Sequence, residues 1–134
     1  MRFTKEERIV SQKLIDSLFG GKSSHSVAAF PLRAVYMTLP SVAESVPTET
    51  RRKMPNVQVL ISVPKKHLHH AVERNRVKRQ LREAYRCHKE LLTNAVGADR
   101  LMAVAFIWQS NQIMPSAQVD SRLYGLLKRI AKSI

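Results

Sequence analysis

Apolar positions along this chain alternate between two periods, and the changes of period divide it into elements. Near the start, Thr4-Lys5-Glu6-Glu7 has the Ser/Thr-x-x-Glu form of a capping box, so a helix can begin there. Val10, Leu14, Ile15 and Leu18 follow at helical spacing, and Gly20-Gly21 supplies a stop. One bent helix, or two short ones, is expected to end near Phe19. "FPLRAVYMTL" (30–39) reads as a strand after its proline, with Val35 and Tyr36 near its middle. Residues 40–56 hold prolines, Ser, Thr and Glu with no apolar period, which predicts a flexible loop tipped by Arg51-Arg52-Lys53.

The second half is patterned more sharply. "NVQVLISV" (56–63) places Val57, Val59, Ile61 and Val63 on one face of a strand, which Pro64 ends. The segment from about 71 to 92 is the strongest helix in the chain. "RLMAVAFIWQS" (100–110) is continuously apolar, as expected of a strand covered on both faces. After Pro115, Val119, Leu123, Leu126, Leu127 and Ile130 mark a final amphipathic helix. The expected order is helix, strand, strand, helix, strand, helix. No repeat and no long linker interrupts it, so residues 1–134 are expected to form a single small α/β domain.

Charge changes the picture from fold to partner. Lys and Arg total 23 against 10 Asp and Glu, a formal net charge of +13. Such an excess repels itself in a compact state, and a polyanionic partner is the usual reason to carry it. Nucleic acid comes first and an anionic membrane second, but no apolar run approaches the length that spans a bilayer. The start, "MRFTKEERIVSQK", lacks the apolar core of an export signal, and Cys87 has no second cysteine to pair with. Both features predict a cytoplasmic protein.

The charge is concentrated on the strongest helix. Residues 65–89 hold nine Lys or Arg and two Asp or Glu, a balance of +7. At about 100° per residue, Val77, Leu81, Ala84, Tyr85, Leu91 and Leu92 share one side, expected to pack on the sheet. Asn75, Lys78, Arg79, Arg82, Arg86 and Lys89 share an adjoining arc, with Arg74 at its border and Arg76 pointing elsewhere. Glu73, Glu83 and Glu90 fall largely outside that arc, which is therefore expected to keep its charge unpaired. Charge runs are commonly solvated faces. Here arginine outnumbers lysine five to two within 74–89, and its planar fork can bridge two phosphate oxygens. A zipper-type DNA reader would continue into a heptad helix, whereas this chain passes to a Gly-containing turn and a strand.

"SVPKK" followed by "AVERNRVKRQLREAY" resembles the signature of the bacterial ribonuclease P protein subunit. The resemblance is dense over about 57–86; elsewhere it rests on element order, including Gly-Gly-Lys-Ser after the first helix. It implies a small α/β fold with a split, left-handed βαβ crossover, against the usual preference for right-handed connections. It also implies that cleavage belongs to a large catalytic RNA, which uses magnesium ions to remove the 5′ leader of precursor tRNA. The protein itself would hold no cofactor and need no protein partner or membrane. By the same resemblance Lys65, Lys66, Arg74, Asn75, Arg76, Lys78, Arg79, Arg82 and Arg86 would dock on the catalytic RNA. Asn75 would hold a metal-bound water or orient an arginine. Tyr36, Phe19, Leu14 and Leu18 would contact the leader, although leucines at two typically aromatic helix positions offer no ring to stack on.

Other chemistry is poorly supported. His67, His69, His70 and His88 lack the cysteine pair or acidic partners of a zinc site, so "KHLHH" reads as a polar loop. The carboxylates are scattered, which disfavours a nuclease that works alone. A structural RNA-binding protein of ribosomal type is the competing class.

Overall fold

In the computed structural model, which describes residues 24–40, 57–97 and 100–133, the apolar run becomes the strand that needs it most. The elements are β1 (His25–Ala29), β2 (Leu32–Pro40), β3 (Val57–Ser62), α1 (Ala71–His88), α2 (Glu90–Val96), β4 (Arg100–Trp108) and α3 (Ser116–Ser133). The strands form one sheet in the order β1-β2-β4-β3. β4 therefore has a strand on either side, antiparallel β2 and parallel β3. Met102 through Phe106, and Trp108, are fully enclosed on it. This is why no polar alternation is visible there.

One face of the sheet carries the main core. Leu32, Ala34 and Tyr36 of β2, Val57 and Val59 of β3, and Met102, Val104, Phe106 and Trp108 of β4 point to it. The expected apolar stripe of α3, Val119, Leu123, Leu126, Leu127 and Ile130, is buried against them, as are Val77, Leu81, Ala84 and Tyr85 of α1. Leu92 and Val96 of α2 complete the layer. The opposite face bears a smaller cluster of Val35, Met37, Ala103 and Ala105.

Three details differ from expectation. β1 is an additional strand, pairing antiparallel with β2 through a two-residue turn at Phe30–Pro31. It is a short edge strand of Ser, Ala, Val and His that buries little, so it leaves no strong alternation in the sequence. The long basic helix stops at His88; Lys89 intervenes, and α2 then runs to Gly97, whose φ of 78° suits a residue without a side chain. The parallel strands β3 and β4 are direct neighbours, paired from Val57↔Met102 to Ser62↔Ile107, so no strand splits the crossover. The mixed α/β class is unchanged by this. The expected N-terminal helix and most of the loop at 40–56 lie outside the described residues.

A polar latch closes the end of α3 on β2. Ser133 Oγ donates to Ile130 O at 2.9 Å, so the Tyr36 hydroxyl is the donor in its 2.6 Å contact with Ser133 Oγ. Tyr36→Phe keeps the ring and removes this bond. It is expected to lower unfolding stability by about 0.5–1.5 kcal/mol in urea titration, while an unchanged midpoint would show that the latch contributes nothing.

Candidate nucleic-acid interface

The rotation of α1 about its axis decides where its charges point. Val77, Leu81, Ala84 and Tyr85 fix one side in the core. Two polar tethers fix the same rotation along the seam with α3. Near the middle, Gln80 Nε2 donates to Met114 O at 2.9 Å and Ser116 Oγ at 3.1 Å. At the end, His88 Nε2 donates to the Asp120 carboxylate at 3.0 Å. With those sides occupied, Asn75, Lys78, Arg79, Arg82, Arg86 and Lys89 fall on the flank turned away from α3. Asn75 and Arg79 are exposed; Lys78, Arg82, Arg86 and Lys89 are half-buried. Half-burial suits long cationic side chains, whose stems cover apolar surface while their heads reach water.

Not every cation in the motif is equally available. Arg74 Nη1 donates to Leu68 O at 2.9 Å and His69 O at 2.8 Å, tying down the loop that leads into the helix. These bonds brace carbonyls ahead of the helix, and His70 at the N-cap adds no side-chain hydrogen bond to α1. Arg86 corrects the expectation of an unpaired arc. Its Nε donates to Glu83 Oε2 at 3.0 Å and its Nη2 to Glu83 Oε1, a two-pronged i,i+3 ion pair. The pattern separated the two residues by angle, but arginine is long enough to reach across one turn. Hydrogen bonding from Arg86 holds the Glu83 carboxyl below its usual range, and Glu83 raises Arg86 in return. Arg86 therefore meets a phosphate only by sharing or leaving Glu83.

Lys65 and Lys66 are exposed in a turn beyond β3, where His67 N and Leu68 N both donate to Pro64 O. The turn leads within a few residues into α1, so the lysine pair comes shortly before the helix cations along the chain. Arg76 is exposed on the outer side of the helix. Tyr36 is elsewhere. It is 4% exposed on the helix-covered face, and an enclosed ring gives a base no face to stack on; its place is in the core. Leu14, Leu18 and Phe19 lie outside the described residues.

The histidines go to separate partners. His67 Nδ1 lies 3.0 Å from Asn111 Oδ1, and His88 is held by Asp120. Among the described residues no three His, Cys, Asp or Glu side chains converge as metal ligands. Gln80 and the His88–Asp120 pair escaped the sequence reading. Their only signal was a polar residue on the apolar side of each helix, which does not name its partner.

A parallel βαβ unit with an arginine-rich helix flank is the geometry, and the comparisons give it a family. A sequence model described as Ribonuclease P matches residues 3–131. The chain belongs to the ribonuclease P protein family. The ribonuclease P protein component of Porphyromonas gingivalis W83 is 31% identical over 132 residues, covering 98% of this chain and 88% of that protein. The one from Chlorobium phaeobacteroides is 38% identical over 89 residues, covering 66% and 54%. Among solved structures, the Staphylococcus aureus ribonuclease P protein aligns with a TM-score of 0.62 at 25% identity, covering 92% of this chain and 94% of that one. The Thermotoga maritima protein gives 0.63 at 20% identity, over 92% and 96%. Ribonuclease P proteins are subunits of a ribonucleoprotein endoribonuclease, so an RNA partner follows from membership, and tRNA processing is the activity served.

Glu83 offers a direct test of the flank. Glu83→Gln removes the charge that occupies Arg86, and RNA affinity is expected to rise. The slope of log affinity against log salt is expected to steepen by up to about one unit. No change in slope would mean that Arg86 lies outside the RNA interface.

Proposed function

We propose that this ribonuclease P protein docks the outer flank of α1 on the catalytic RNA and thereby assists magnesium-dependent removal of the 5′ leader from precursor tRNA. The observation that carries the reading is the aim of the flank. Lys78, Arg79, Arg82 and Asn75 sit together on a helix whose rotation is fixed from the opposite side by Val77, Gln80, Leu81 and His88. A row of cations on a helix already seated in the core neutralises phosphates without having to order the backbone at the moment of binding. Arginine adds two-pronged bonds to phosphate oxygens. Asn75 is exposed beside this row and can both donate and accept, which suits a metal-bound water or a neighbouring guanidinium.

In this reading the magnesium ions belong to the RNA. Glu83, the carboxylate next to the flank, is engaged by Arg86. What the chain contributes is position and charge: cations that let RNA strands approach one another near the scissile bond. Tyr36 has an enclosed ring, which disfavours stacking on it, and Leu14, Leu18 and Phe19, the other residues expected to contact the leader, lie outside the described residues. No described helix is long and apolar enough to cross a membrane. A cytoplasmic location is part of this proposal, since an RNA partner of this kind would be met there.

The test is reconstitution with the catalytic RNA of a related bacterium, precursor tRNA and magnesium. Cleavage at the mature 5′ end is expected to be stimulated only when protein and RNA are both present. Arg79→Ala and Arg82→Ala are each expected to weaken binding to the catalytic RNA and to flatten its salt dependence by about one unit. Tight binding without stimulation would instead indicate a structural RNA-binding protein, and cleavage by the chain alone would contradict the RNA's role in the chemistry.

A further inference from the structure

Three loops meet at the end of the sheet where β3 and β4 finish and β2 begins. The β1–β2 turn holds Phe30, which is 65% exposed. Gln109 N donates to Pro31 O at 2.8 Å, which joins that turn to the segment leaving β4. Two residues further on, Asn111 Oδ1 lies 3.0 Å from His67 Nδ1, which joins the same segment to the loop after β3. The result is one tied rim running from Phe30 through the exposed amides of Asn111 and Gln112 to His67, Lys65 and Lys66. It then reaches the start of α1. Segments 30–31, 63–70 and 109–115 contain no Asp or Glu, and Glu73 follows in the first turn of α1.

A single exposed apolar side chain needs no explanation. Phe30 differs in its setting: an open ring on a tight turn, at one end of a hydrogen-bonded rim that carries exposed amides and ends at Lys65 and Lys66. Aromatic rings next to positive charge are the general means of holding unpaired nucleotides, because every base has a face that can stack. A duplex would offer the ring no such face, since its bases are already stacked on one another.

We propose that this rim binds an unpaired segment of the catalytic RNA, with a base stacked on Phe30 and the adjoining backbone led past Asn111 and His67 to Lys65 and Lys66. The proposal rests on the RNA-docking reading of α1 and extends that interface across the end of the sheet. Exposed donors on Asn111 and Gln112 suit phosphate or base-edge contacts, and His67 adds a second ring next to the lysines.

The test measures affinity for the catalytic RNA in Phe30→Ala, Phe30→Tyr and Arg79→Ala chains, with Phe30→Trp as an optical probe. Phe30→Ala is expected to weaken binding roughly tenfold, within the range measured for removing one stacking platform, and Phe30→Tyr to restore it. Tryptophan emission from Phe30→Trp is expected to be quenched when the RNA binds. Unchanged affinity in Phe30→Ala together with unquenched Phe30→Trp would overturn the rim as a binding surface, even if Arg79→Ala still weakens binding and the α1 reading stands. Loss of precursor-tRNA binding with no loss for the catalytic RNA would also overturn it, by assigning the ring to the substrate.

Discussion

The direction in which the cationic flank points depends on how α1 is seated. Val77, Leu81, Ala84 and Tyr85 bury one side of the helix, and each large apolar side chain enclosed in this way contributes roughly 1.5–3 kcal/mol. A turn of one residue position, about 100°, would expose part of this set and press Lys78 or Arg82 toward the core. Burying an unpaired cation costs far more than a solvated one. The core therefore acts as the aiming device for the charges, and Gln80 and His88 sharpen the aim through directional bonds to α3 and the segment before it.

The same helix divides its cations among tasks. Arg74 is spent inside the chain on the carbonyls of Leu68 and His69, shaping the entry to α1. Arg86 is balanced by Glu83. Arg79, with Asn75 beside it, stands open to solvent on the flank. A motif that reads as a uniform run of positive charge is thus part internally bonded and part open to solvent, and mutating its members is expected to give different phenotypes for physical reasons visible in the bonds.

Much of this was legible in the residues. The 3.6-residue period of α3 named all five of its buried side chains, and the unbroken apolar run of β4 announced a strand covered on both faces. The motif running from "SVPKK" through the Arg- and Lys-dense helix named the family through its resemblance. What escaped depends on contacts between distant segments. β1 gains its identity from pairing with β2 and has little pattern of its own. Tyr36 shares a strand with residues of both faces, and only the register decides that its ring turns toward α3. The Glu83–Arg86 pair depends on side-chain reach, which angular counting does not measure.

The most direct test of the central claim asks which side of the helical layer faces the RNA. In a Cys87→Ser chain, a hydroxyl-radical-generating iron chelate can be tethered through Glu83→Cys, beside the α1 flank, or through Ser121→Cys, on the exposed face of α3. With the catalytic RNA bound, the account predicts strand scission from position 83 and none from position 121. Scission from position 121 with none from position 83 would contradict it, and would move the RNA to the other side of the protein.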